Sequence, residues 1–173
     1  MILKLVDKDD PVLFKKTEKF DFNNPPMDPE ELFNNLKETM IANRGVGLAA
    51  NQVGIPYSVF VVGNPDDEET IFSVFNPMIV DMSLESMLTE EGCLSYPGLY
   101  VKVKRPSIIR ARYTNFSGNT NTIKFGGMTS RIFQHEMDHL EGICHLDRAN
   151  KIHLDQAMKQ KKQMDRKKKN NAK

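Results

Sequence analysis

His135 and His139 stand four residues apart with Glu136 beside the first, in a stretch, Met128–Leu140, that holds neither glycine nor proline. A helix places residues i and i+4 on one face about one turn apart, so both imidazoles can reach one cation while Glu136 stays free to accept a proton. Met128, Ile132, Phe133, Met137 and Leu140 continue the helical spacing, and Gly142 follows where a C-terminal cap belongs. The same spacing also suits two solvent-facing histidines on an ordinary helix. A catalytic metal needs a third protein ligand and an open position. Cys93, Cys144, His145, His153 and the carboxylates all offer one.

The rest of the pattern surrounds this helix with strands. Asp28 is an N-cap and Pro29 a first helical residue, and Leu32, Phe33, Leu36, Met40 and Ile41 predict a helix from Pro29 to about Asn43. Strands are expected at Tyr57–Val62, Ile71–Phe75 and Met78–Met87, with a short one at Val101–Val103 and a longer one at Ser107–Tyr113. The Gly118 turn then leads to a partner strand at Thr122–Phe125. Runs of strands flanked by separate helices indicate an α+β fold: antiparallel sheets packed around the central metal-binding helix, with an N-terminal and a C-terminal helix.

Composition narrows the class. With 173 residues the chain suits one domain spanning 1–173, and a mean hydropathy of −0.48 still permits a core because the apolar residues cluster. No apolar run approaches the roughly 20 residues that span a bilayer. Charges in Met1–Asp7 interrupt the stretch a signal peptide would need, so the cytoplasm is the expected location. Two cysteines make no disulfide framework. From Lys151 to Lys173 nine basic side chains face two acidic ones, a balance of +7, while residues 1–150 carry fifteen bases and twenty-one acids, or −6. Residues 151–173 therefore form a basic helical tail on a mildly acidic body, with a thin apolar stripe of Ile152, Leu154, Ala157, Met158 and Met164.

Three segments carry a resemblance. Gly45-Val46-Gly47-Leu48-Ala49-Ala50-Asn51-Gln52-Val53-Gly54, then Glu91-Gly92-Cys93-Leu94-Ser95, then Gln134-His135-Glu136-Met137-Asp138-His139-Leu140 resemble, in order and with compatible spacing, the three signature motifs of peptide deformylases. Pro11-Val12-Leu13 and Leu146-Asp147-Arg148 also resemble family positions, so the likeness covers about residues 1–150.

The resemblance implies a metal-dependent hydrolase that removes the formyl group from the N-terminal formyl-methionine of nascent polypeptides and releases formate. It implies Cys93, His135 and His139 as metal ligands and Glu136 as general acid/base. Gln52, through its side-chain amide, and Leu94, through its backbone N–H, match the groups that steady the oxyanion. Gly47 matches a backbone approach to substrate, and Val46, Met128 and Ile132 a pocket for the methionine side chain. Ligand chemistry allows Fe2+, Zn2+, Ni2+ or Co2+, and the resemblance favours Fe2+ in the cell. The expected partners are N-formylmethionyl peptides and, through the basic C-terminal tail, the ribosome, with no membrane and no DNA. Two positions depart from the family pattern. Asn51 replaces other small polar residues, and Gly98-Leu99-Tyr100 lacks the arginine some members place there.

Lesser signals have plainer readings. Cys144 reads as buried structure and His153 as a surface residue. Glu90, Glu91 and Asp138 suit carboxylates that orient metal-bound histidines, or, for Asp138, an ordinary salt bridge such as one to Arg105. A conventional H-E-x-x-H endopeptidase would take its third ligand downstream of the helix and has no use for the Gln52 motif. A non-catalytic ribosome- or nucleic-acid-binding module has no use for Glu136 beside two histidines.

Overall fold

The computed structural model describes residues 1–171; the last two positions of the 151–173 tail lie outside the described residues. Asp28 accepts the Glu31 N–H at 2.7 Å and Pro29 opens helix α1 (Pro29–Ala42), as the capping signal predicts. Strands β1 (Gly47–Ala49), β2 (Val59–Asn64) and β3 (Asp67–Met82) follow, then β4 (Ser86–Cys93), β5 (Tyr96–Pro106), β6 (Ile108–Thr114) and β7 (Thr120–Gly126). The helices α2 (Gly127–Leu140), the single turn α3 (His145–Arg148) and α4 (Lys151–Asn171) complete the chain. One antiparallel sheet has the order β1-β2-β3-β6-β7, and β4 and β5 form a separate hairpin. This is the expected α+β arrangement.

The core explains the layering. In β2, Val59 and Val61 join Leu32, Leu36 and Met40 of α1, while Phe60 and Val62 join Phe133 and Leu140 of α2. The strand is thus buried on both faces, which is why it reads as an unbroken apolar run. Each such side chain contributes roughly 1.5–3 kcal/mol when fully buried. Phe60 and Phe133 meet edge to face at 4.9 Å, fixing α2 against the sheet. A third cluster, Leu99, Val101, Val103 and Ala157, joins β5 to α4.

Several strand boundaries differ from expectation for identifiable reasons. Tyr57 pairs with Glu18 in an isolated bridge, so β2 starts two residues later. The strands expected at Ile71–Phe75 and at Met78–Met87 join across Asn76, whose φ of 49° accommodates a register shift beside Pro77. Asn76 substitutes for a pairing strand: its side chain accepts the Phe20 N–H and donates to the Phe20 carbonyl at 2.8 and 2.9 Å. Its far end turns at Ser83–Glu85, and Met87 belongs to β4. β5 has eleven residues instead of three, because Leu99, Val101, Val103 and Arg105 alternate inward between exposed Tyr100, Lys102 and Lys104. β1, β4 and α3 were not anticipated as elements. In the tail, only Ala157 of the apolar stripe is buried; Ile152, Met158 and Met164 are exposed and Leu154 is half-buried. Among the described residues no helix is long and apolar enough to cross a membrane.

Candidate metal centre and active site

Helix α2 begins where Gly126 and Gly127 release the chain from β7, Gly127 at φ 58°. Its inward face carries His135, Glu136 and His139, all buried. The hairpin β4–β5 brings Cys93 to the same point from the other side, since Leu94 and Ser95 form its tight turn. Ligand atoms of Cys93, His135 and His139 lie within 4.8 Å of one another, and Cys93 Sγ is 3.2 Å from His139 Nε2. One thiolate and two imidazoles fit a borderline divalent cation and leave room for further ligands. The alternative ligands fall elsewhere. His145 packs behind His135 with ring centroids 5.4 Å apart, burial lowering its imidazole to about 4, and buried Cys144 caps α3 through the Leu146 N–H. His153, expected at the surface, is half-buried on α4.

Carboxylates and guanidiniums hold the ligands. Glu91 Oε2 accepts from His135 Nδ1 at 3.0 Å, which leaves Nε2 as the nitrogen free to meet a cation. Arg105 grips Glu91 with two hydrogen bonds, 2.6 and 2.9 Å, and Arg131 adds a third at 2.7 Å. Burial alone would raise the Glu91 carboxyl, but the His135 and Arg105 hydrogen bonds outweigh it and hold the group down to about 2. Among the described residues the Asp138 carboxylate hydrogen-bonds to neither histidine; it pairs with Arg105 at 2.9 Å and Arg148 at 2.6 Å, the ordinary salt bridge of the two readings. Asn51, which carried no functional expectation, donates to the His139 carbonyl at 2.6 Å and so ties the first motif segment to the metal helix. Arg131 was missed, although its spacing of four residues before His135 places it on the histidine face.

One cavity of about 510 Å³ collects most of the expected residues: Val46, Gly47, Gln52, Cys93, Leu94, Met128, Ile132, His135 and Glu136 all line it. Gln52 is oriented by its own neighbours. Its Oε1 accepts the Ala49 N–H at 2.9 Å, and Nε2 points to Ser95 Oγ at 3.0 Å and toward Cys93 Sγ at 3.6 Å. Gly47 leaves room for the carboxylate: a Cβ there would collide with Glu136 Oε1 and come within 2.8 Å of Ile132 Cγ2. Glu136 is 3% exposed and its Oε2 has no partner among the described residues. Burial raises its carboxyl to about 7, with the charge of Glu91 adding to the effect against the opposing His135. A carboxylate near neutrality beside a metal-ligand triad is the arrangement a proton carrier needs. Val46 and Met128 remain 45% and 64% exposed, so apolar surface stands open at the mouth of the cavity.

Known proteins share this fold and sequence. The family profile described as polypeptide deformylase matches residues 2–155. A peptide deformylase from Natranaerobius thermophilus is 42% identical over 151 residues, covering 87% of this chain and 94% of the relative. The crystal structure of a peptide deformylase from Plasmodium falciparum superposes with a TM-score of 0.85 at 31% identity, covering 96% of this chain and 97% of that one. A class I type b peptide deformylase from Acinetobacter baumannii, solved with Met-Ala-Ser bound, gives 0.79 at 31% identity, covering 86% and 98%. Fold, motif order and converging ligand atoms agree: the chain belongs to the polypeptide deformylase family, metal-dependent hydrolases that remove the formyl group from the N-terminal formyl-methionine of nascent polypeptides.

Proposed function

We propose that Cys93, His135 and His139 hold one divalent cation and that Glu136 carries the proton during hydrolysis of the formyl amide. The observation behind this reading is Glu136 itself, a buried carboxylate with one unpartnered oxygen in the cavity that the ligand residues border. A divalent metal supplies Lewis acidity, which acidifies water and polarises a carbonyl oxygen. Glu136 takes a proton from water and delivers it to the departing amine nitrogen. Gln52, through Nε2, and Leu94, through its backbone N–H, donate to the carbonyl oxygen as negative charge grows on it, and a donor of this kind typically contributes about 3–4 kcal/mol. Water adds to the formyl carbon, the C–N bond breaks, and formate and a free amino terminus leave. Gly47 lets the substrate backbone approach Glu136, and Val46, Met128 and Ile132 receive the methionine side chain.

The thiolate softens the donor set. Together with the family resemblance, it supports Fe2+ as the ion in the cell; the same ligands accept Zn2+, Ni2+ and Co2+. Protein purified without oxygen should hold about one metal per chain, and His139→Ala should lose it. Formyl-Met peptides should exceed formyl-Gly peptides in kcat/KM by about 10–200-fold, the discrimination an apolar pocket provides. Equal metal content in the variant, or equal rates on the two peptides, contradicts the respective assignment.

Residues 1–173 read as one catalytic unit, with 151–173 as its basic tail, working in the cytoplasm where formylated chains are made. Helix α4 docks on β5 through Ala157 and leaves most of its lysines exposed, which supports contact between the tail and ribosomal RNA. Deleting residues 160–173 should weaken co-sedimentation with ribosomes at low salt and leave hydrolysis of a short formyl peptide nearly unchanged. Undiminished co-sedimentation contradicts the ribosome contact.

A further inference from the structure

Tyr100 has no part in the chemistry above, yet it lines the same cavity and is 55% exposed. It sits on the face of β5 turned away from α4, since Leu99 and Val101 on either side of it are buried with Ala157. Its ring lies across Gly92, the residue immediately before Cys93: a Cβ at Gly92 would come within 2.6 Å of Tyr100 Cε1 and 3.0 Å of Cδ1. One edge of the aromatic ring is therefore seated on backbone next to a metal ligand, and the rest of it faces open space at the cavity wall.

The cavity is large enough for more than a single amino acid, because volumes of this size accommodate drug-sized molecules. Its walls come from different elements. Val46 immediately precedes β1, Met128 and Ile132 stand on α2, and Tyr100 stands on the β4–β5 hairpin. Consecutive side chains of an extended peptide point to opposite sides. With the first side chain directed at Val46, Met128 and Ile132, the second points away from them, and Tyr100 is an exposed aromatic side chain on the remaining lining.

We propose that Tyr100 is a specificity-determining residue for the second position of the substrate, favouring an aromatic side chain that packs against its ring. The proposal rests on the deformylase site described above. Aromatic pairs add about 2- to 12-fold in affinity beyond the area they bury.

The test compares formyl-Met-Phe-Ser with formyl-Met-Ala-Ser by formate release, using metal-loaded wild type, Tyr100→Phe and Tyr100→Ala. Wild type should favour the phenylalanine peptide by about 2- to 12-fold in kcat/KM, through KM. Tyr100→Phe should keep that ratio and Tyr100→Ala should bring it within about twofold of unity. A purely structural role for the ring over Gly92 would slow both peptides alike and preserve the ratio, which would overturn the proposal. So would a wild type with no preference. Tyr100→Leu, which still covers Gly92 without an aromatic ring, replaces the alanine variant should that one not fold, and carries the same expectation. Formate from neither peptide would strike the site assignment and the proposal together; formate with a ratio indifferent to residue 100 would strike the proposal alone.

Discussion

Glu136 Oε1 occupies the space that a side chain at residue 47 would need. Gly47 is the first residue of β1 and Glu136 the second residue of the histidine motif on α2, so the bare backbone of one element is what lets the other's carboxylate stand in the cavity. Gly47→Ala should consequently displace Glu136 while leaving the ligand triad in place. Turnover should fall by about 10²–10⁴-fold, the usual contribution of a general acid–base group, with metal content preserved. Steady-state kinetics and metal analysis of the same preparation check both halves.

Glu91 should govern how well the metal is held. Its carboxylate orients His135 and is itself held by Arg105 and Arg131, and replacing such a partner typically lowers metal affinity by about 10–100-fold. Glu91→Gln should show that loss in competition with a chelator. Affinity equal to wild type would remove Glu91 from the role.

The same residue sets an acid limit on stability. Its folded-state pKa lies near 2, below the ordinary value of 4.5, so its stabilisation is present above about pH 4.5 and is lost as pH falls from there toward 2. The contribution at neutral pH is on the order of 3 kcal/mol. Unfolding of the metal-free protein in denaturant at several pH values should give a steeper acid decline for wild type than for Glu91→Gln.

How much of this was legible in the sequence depended on whether the signal was local. The metal helix was, because i, i+4 spacing and the absence of glycine and proline are properties of a short window. Helix α1 was too, through Asp28 and Pro29. Strand β3 was misread because Asn76-Pro77 looks like a break, whereas the Asn76 side chain bonds the backbone of distant Phe20 and the strand carries onward. β1 is three residues long and exists only by pairing with β2, so nothing within it announces a strand. In the site, Cys93 could be joined to His135 and His139 only through the family resemblance, since spacing alone left Cys144, His145, His153 and the carboxylates as further candidates. Convergence of the ligand atoms is a tertiary fact, as is the choice of Glu91 over Asp138 behind His135.

The central claim is that the carboxylate of Glu136 moves the proton while Cys93, His135 and His139 hold the metal. Formate release from formyl-Met-Ala-Ser by metal-loaded Glu136→Gln, measured beside metal content, tests it most directly. The amide keeps the shape of the carboxylate but cannot accept the proton, so about one metal per chain should remain while kcat falls by about 10²–10⁴-fold. A variant that keeps its metal and turns over within a factor of a few of wild type would contradict the assignment.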